Sequence, residues 1–292
     1  MRRLTVLQCY LTGGFGGRQH IEMHGSEQDK RVVRALGMQR MEKYLSQMGD
    51  HAGRAIKLYK WDAEISAALW NLVALVEVVL RNKICEQAEI WSVQNNPRSN
   101  PDWILQPRQN VQEPLSKVSA SISDPALNKA IKAKQIRDEG TGLTGGDHPR
   151  KGQPITKDDV ISQVTLSQWK EYFFYREPIK APDGSVQYYP DKVTYEFRKA
   201  IYQKITCEAF SALPDTDRID PDDVSRIMNR VVLLRNRIGH QEPLIDINCA
   251  KSRDGLLILL KHLDSDVLNN YTASDPIPRI LKADPRIRRG RR

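Results

Sequence analysis

Apolar residues recur every three or four positions along most of the chain, the period of amphipathic helices. The segment from Trp61 to about Ile90 contains no Gly or Pro and predicts one long helix. No convincing set of strands appears, although 176–189 is compatible with a loop or a hairpin around Asp183 and Gly184. The pattern therefore predicts an all-α fold of more than six helices. The other predicted helices are 41–48, 55–58, 110–138, 160–164, 166–174, 193–210, 224–238, 245–263, 265–271 and 276–283.

Composition divides the chain into three parts. Residues 1–37 are Gly-rich without a sustained period and are interpreted as a flexible extension. Residues 38–285 are predicted to form the helical domain. A loop-rich insertion is expected at about 95–155, because it holds a polar Pro-containing break and a Gly-, Thr-, Asp- and Pro-rich run. Residues 286–292 form a basic tail with five arginines.

The formal net charge of +9 favours an acidic partner, with RNA or DNA first. The alternative is an ordinary solvated basic surface, and the terminal arginines exaggerate the charge of the folded part. The longest apolar run, from Ile65 to Leu80, is shorter than a membrane span and contains Glu77, so no membrane contact is expected. We therefore expect a soluble, cytoplasmic protein.

The four cysteines are too far apart in sequence to form a zinc motif. Cys85 and Cys207 fall within apolar helical patterns and are interpreted as reduced core thiols. His148 lies in the loop-rich insertion with Asp147 but without a cluster of further ligands. We therefore expect no metal and no cofactor. The cysteines are Cys9, Cys85, Cys207 and Cys249.

A strong helix start at Asp220-Pro221 leads to the most distinctive stretch, 231–244, which reads V-V-L-L-R-N-R-I-G-H-Q-E-P-L. The helix is expected to end near Gly239. Arg235 and His240 are five positions apart, about 140° round an unbroken helix, so their side chains would diverge. A break at Gly239 would instead let His240 turn back beside Arg235.

These side chains suit metal-independent RNA cleavage. Arg235 matches phosphate oxygens, His240 exchanges a proton with a ribose 2′-OH, and Asn236 fixes a hydroxyl or phosphate oxygen. The spacing alone is weak, since Arg18 and His24 have a similar one. The alternative is that Arg235 only interacts with the helix C-terminal dipole, and that His240 is a polar loop residue.

A second polar group lies in the long predicted helix. Glu77 and Arg81 are four positions apart, and Glu77 stands among apolar residues, so it needs a partner. Either the two side chains satisfy each other, or they orient groups at the 235–240 stretch. The sequence leaves both readings open.

The stretch L-R-N-R-I-G-H-Q-E-P-L resembles the L-R-N-x-x-x-H-x-E-P signature of Abi-like (abortive infection) proteins, a branch of the HEPN superfamily. Other matching stretches are A-I-K-L-Y-K-W-D, S-A-A-L-W, V-E-V-V-L-R-N and I-T-K-D-D-V-I-S-Q-V-T-L-S-Q-W-K. The resemblance runs from about Met38 to Pro285. Gly239 and Gln241 depart from it, since many relatives have Ala and His there.

The resemblance implies a helical HEPN-like bundle with ribonuclease activity in phage defence or a toxin–antitoxin system. It matches Arg235 and His240 to the R-x4-6-H pair and Asn236 to the polar residue that follows the Arg. It matches Glu77, Arg81 and Asn82 to a block on the facing helix. It further implies a homodimer in which the motifs of two protomers meet, with RNA as substrate and an antitoxin or phage trigger as partner.

Overall fold

The structure, a computed structural model, describes residues 22–95, 102–105, 113–140, 146–214 and 217–287. Most of these residues are helical and only two short strands occur among them, so the predicted all-α class is confirmed. The chain forms two compact units. Among the described residues, one unit comprises 22–63 together with 282–287, and the other comprises those within Glu64–Leu281. These limits differ from the predicted division at residues 37 and 285.

The first unit begins with two short helices, α1 (Glu27–Leu36) and α2 (Met38–Gln47). The hydroxyl of Ser26 caps α1 by accepting a hydrogen bond from the backbone N–H of Asp29. The expectation of an extension without regular structure is therefore wrong for residues 27–36. The sequence pattern missed α1 because its large apolar residues, Val32, Val33 and Leu36, lie only in the second half of a short and otherwise charged segment. Residues 1–21 lie outside the described residues.

The long helix, α3 (Ala52–Asn95), is longer than predicted. The two separate helices expected at 55–58 and 61–90 are one, because no Gly or Pro interrupts the chain after Gly53. In the first unit, the hydroxyl of Tyr44 on α2 donates a 2.7 Å hydrogen bond to the carboxylate of Asp62 on α3, and both side chains are buried.

The loop-rich insertion contains a helix of 25 residues, α4 (Leu115–Glu139), in agreement with the weak period at 110–138. Two short helices follow it, and each begins with a capping box, in which a threonine hydroxyl and a side chain three residues later exchange hydrogen bonds with the backbone. These helices are α5 (Lys157–Ile161), which starts as predicted after Thr156, and α6 (Leu166–Phe173).

A small hairpin follows α6 and confirms one of the two structures compatible with 176–189. Strands β1 (Ile179–Lys180) and β2 (Val186–Gln187) are antiparallel, with Ile179 opposite Gln187. The predicted helix at 193–210 is observed as α7 (Lys192–Ile201), a π-helical turn at Tyr202–Thr206 and α8 (Cys207–Ala209).

The last four helices include α9, which packs against α6 and α10. Asp220 caps α9 as predicted, with its carboxylate accepting hydrogen bonds from the N–H groups of Asp222 and Asp223. The apolar side of α9 is buried through Val224, Met228 and Val231. The four helices are α9 (Pro221–Gly239), α10 (Cys249–Leu263), α11 (Ser265–Thr272) and α12 (Ile277–Lys282).

By length and composition, α3 could cross a membrane. This is weak evidence, because the core helix of a soluble protein meets the same criterion. Within the second unit, Leu69, Leu72 and Val76 of α3 are fully buried, which is compatible with a core helix.

The cap of α9 should contribute measurably to stability. We predict that Asp220→Ala lowers the free energy of unfolding by about 1–2 kcal/mol, because two N–H groups at the start of the helix lose their acceptor. Urea denaturation followed by circular dichroism measures the change. Glu196→Ala is the control, since Glu196 is exposed in the middle of α7 and lies at neither end of that helix. Equal stability of Asp220→Ala and the native chain would contradict the prediction.

Candidate active site

The end of α9 is held by a pair of backbone hydrogen bonds. The N–H of Glu242 donates to the carbonyl of Arg237, and the N–H of Gln241 donates to the carbonyl of Ile238, both at 2.9 Å. This is the Schellman arrangement, which requires one residue in the left-handed region. That residue is Gln241, with a φ of 55°.

The helix therefore ends as predicted, but not by the predicted cause. Gly239 is the last residue of α9, and His240 caps it with a φ of −88°. Because Gly239 does not break the helix, it does not turn His240 back beside Arg235. No hydrogen bond joins these two side chains within the described part of the chain.

Arg235 lies against α3 instead. Its guanidinium carbon is 5.6 Å from the centroid of the Trp70 ring, a cation–π distance. Its Nη1 is 3.5 Å from the side-chain oxygen of Asn236. Trp70 is half-exposed, so this side of Arg235 remains close to solvent. Trp70 ends the S-A-A-L-W stretch and lies seven positions before Glu77 on the same face of α3, but no sequence pattern predicted its contact with Arg235.

His240 and Asn236 line a cavity of about 580 Å³ between α9 and α10. The imidazole forms no hydrogen bond to the described residues, so both ring nitrogens are available to a ligand. Among the described residues, the lining includes three cations but not Arg235. These cations are Arg230, Arg237 and Lys251.

The three cations were not identified from the sequence. For two of them a signal was available: Arg230 and Arg237 stand ten and three positions before His240, which places all three side chains on one side of α9. Lys251 lies on α10 and has no such signal. Arg237 is partly neutralised, because its Nε lies 3.5 Å from a carboxylate oxygen of Glu242. Arg230 forms no ion pair within the described residues, so its charge is open to a phosphate.

Glu77 and Arg81 form an ion pair with each other at 4.0 Å, and each side chain is 20% exposed. Within the described residues, neither they nor the exposed Asn82 hydrogen-bond the 235–240 stretch. The structure thus favours the interpretation in which Glu77 and Arg81 serve as each other's ion-pair partner. Among the described residues, Trp70 of α3 contacts Arg235 near the end of α9.

Cys85 and Cys207 do not line this cavity. Cys85 is buried, and burial raises the pKa of its thiol to about 12. Burial also raises the pKa of the half-buried Cys207 to about 11. Neither forms a disulfide within the described residues, and burial disfavours both thiolates; the predicted core position holds for Cys85, whereas Cys207 is only partly buried. Cys9 lies outside the described residues, within which no three His, Cys, Asp or Glu side chains gather as metal ligands.

No protein-family model, no curated protein and no solved structure matches this chain.

The left-handed residue at the end of α9 gives a test of this geometry. We predict that Gln241→Gly has a free energy of unfolding about 0.5–1 kcal/mol higher than that of Gln241→Ala, because glycine has no Cβ to oppose a positive φ. Gln241→Ala is the matched control, since it removes the same side chain but keeps the Cβ. Urea unfolding should rank the glycine variant above the alanine variant, and the reverse order would contradict the Schellman geometry.

Proposed function

We propose that this protein is a metal-independent endoribonuclease of the HEPN type. The observation that carries the proposal is the cavity in which His240 and Asn236 lie together with uncompensated positive charge. A titratable imidazole, an amide and cations are the groups that 2′-OH-mediated cleavage needs. The resemblance of the 231–244 stretch to the Abi-like signature supports the same assignment.

In the proposed reaction His240 removes the proton of a ribose 2′-OH. The 2′-oxygen attacks the adjacent phosphorus, the bond from phosphorus to the 5′-oxygen breaks, and that oxygen takes up a proton. The products are a 2′,3′-cyclic phosphate and a 5′-hydroxyl. Asn236 orients the hydroxyl, while Arg230 and Lys251 stabilise the charge of the phosphorane.

In this proposal Arg235 does not contact the phosphate beside His240, the role that the sequence motif suggests for it. Since it lies over Trp70, it contributes its charge from the side of α9 that faces α3. The phosphate in the His240 cavity is contacted by the cations of the other face. Arg235 therefore steers RNA toward the site and stabilises the end of α9 through its contact with Trp70.

A homodimer is part of the proposal, because each cavity offers one histidine whereas the reaction uses both a base and an acid. Two protomers with their α9 ends adjacent would supply both groups. Leu233 lines the cavity and is 60% exposed, which gives this face an apolar residue for a second copy to cover. The proposed setting is phage defence or a toxin–antitoxin system in the cytoplasm, with an antitoxin or phage trigger as regulator.

The second candidate is a non-catalytic helical module that binds RNA or a protein through the same cavity. The apolar part of the lining, which includes Ile227, Val231 and Ile247, favours it. Such a module would bind RNA in a salt-sensitive way without cutting it.

Cleavage assays separate the two candidates. We predict that the purified protein cuts single-stranded RNA in the presence of EDTA and that His240→Ala lowers the rate at least about a hundredfold, the lower range of general acid–base contributions. His148→Ala is the matched control, because His148 is an exposed histidine outside this cavity. Equal rates for His240→Ala and the native protein would overturn the nuclease assignment, and binding without cutting would favour the module.

A second variant tests whether the Glu77–Arg81 pair acts only as an ion pair and not on the 235–240 stretch. We predict that Glu77→Gln changes the cleavage rate less than about twofold, because neither side chain reaches the 235–240 stretch in the structure. Its free energy of unfolding should fall by at most about 1 kcal/mol, as for a partly exposed ion pair. A large loss of cleavage with unchanged stability would show that the pair serves the site instead.

A further inference from the structure

A second cavity, of about 520 Å³, lies beside the first half of α9. It is enclosed by residues of α6 and α7, by the segments after α6 and β2, and by α9. Five cations line it, and no carboxylate belongs to the described residues of its lining. The cations are Lys170, Arg176, Arg198, Arg226 and Arg230.

Two of these five charges are neutralised by neighbouring carboxylates. Arg198 pairs with Glu171 at 2.9 Å, and Arg226 pairs with Asp222 and Asp223 at 3.1 and 2.7 Å. Lys170, Arg176 and Arg230 form no ion pair within the described residues. The cavity therefore holds a surplus of positive charge.

The titration of Lys170 reflects this surplus. Burial lowers the pKa of its ammonium group, and the neighbouring cations Arg198 and Arg176 lower it further against the opposing effect of Glu171. An anion in the cavity would stabilise the charged form of Lys170, which burial and the neighbouring cations disfavour.

One wall carries a hydroxyl without a partner. Ser225 is 7% exposed and lines the cavity, and its Oγ forms no hydrogen bond within the described part of the chain. A buried hydroxyl without a hydrogen bond costs free energy, and an acceptor in the cavity would satisfy it. An oxygen of a phosphate group is such an acceptor.

The aromatic side chains of the lining suit a nucleotide. Arg176 lies over the ring of Tyr189 with its guanidinium carbon 4.6 Å from the centroid. Phe174 and Tyr175 are buried and close the inner side. Arginine stacked on tyrosine offers a flat surface to a base and a fork of donors to a phosphate.

We propose that this cavity binds the phosphate group of a nucleotide, with Ser225, Lys170 and Arg176 as its principal contacts. The nucleotide is either part of an RNA strand or free. In the first case the inference deepens the proposed nuclease function and rests on it, because Arg230 lines both cavities and a strand would pass from one to the other.

Ser225→Ala is the sharpest test, because it removes an unpartnered hydroxyl and so loses no hydrogen bond of the folded protein. The full chain with His240→Ala, whose cutting is expected to be at least about a hundredfold slower, serves as background. The binding of labelled single-stranded RNA is measured by fluorescence anisotropy, and the binding of adenosine monophosphate and inorganic phosphate by calorimetry. We expect Ser225→Ala to bind at least one of these probes about threefold more weakly or worse, with an unchanged or raised melting temperature.

A matched pair of double variants separates the cavity from the overall charge. Lys170→Gln with Arg176→Gln should weaken RNA binding about tenfold and reduce the salt slope by about 2, one for each lost phosphate contact. Lys129→Gln with Lys132→Gln removes the same charge from exposed positions of α4 outside both cavities. This control should change RNA affinity by less than about threefold.

The outcomes distinguish the sources of the phosphate. Weaker RNA binding in the cavity variants alone supports an RNA strand, and weaker binding of adenosine monophosphate alone supports a free nucleotide. Unchanged affinity of the Ser225 variant and of the cavity double variant for all three probes would overturn the proposal. This result would leave RNA cutting by the native chain intact, whereas a chain that binds nucleotide here but never cuts RNA would contradict the proposed function alone.

Discussion

Helix α9 carries both cavities, and its two ends are fixed by separate hydrogen-bond arrangements. At the start, the carboxylate of Asp220 accepts hydrogen bonds from N–H groups of the first turn. At the end, the left-handed conformation of Gln241 allows two N–H groups that follow α9 to donate to carbonyl groups of its last turn. Between these ends the buried side chains of Val224, Met228 and Val231 hold the helix against its neighbours. The rotation of α9 is thereby fixed, and with it the direction in which each polar residue points.

That rotation separates side chains that the sequence motif suggested would meet. Arg235 points toward Trp70, whereas Arg230, Arg237 and His240 share the face toward the first cavity. The positive charge that α9 places on this face therefore comes from Arg237 and Arg230, about one and three turns before His240. For phosphoryl chemistry this arrangement keeps the required charge near His240, although it comes from other arginines.

Local signals in the sequence predicted much of the fold. A capping carboxylate, a proline at the first turn and an apolar stripe defined α9 from Asp220 to its end, and Thr156 marked the start of α5. Features that depend on packing were not predictable. The contact of Trp70 with Arg235 joins residues far apart in sequence. The left-handed conformation of Gln241 was not predictable, because glycine is the usual sequence signal for it and position 241 has glutamine. The second cavity collects cations from three helices and a loop, so no single stretch revealed it.

The chemistry of the cut ends tests the central claim most directly. A defined RNA is incubated with the purified protein in EDTA, and the fragments are analysed by mass spectrometry. Attack by the 2′-oxygen, with His240 as the base, yields fragments that end in a 2′,3′-cyclic phosphate and begin with a 5′-hydroxyl. Fragments with 3′-hydroxyl and 5′-phosphate ends, or RNA that remains intact, would contradict the account.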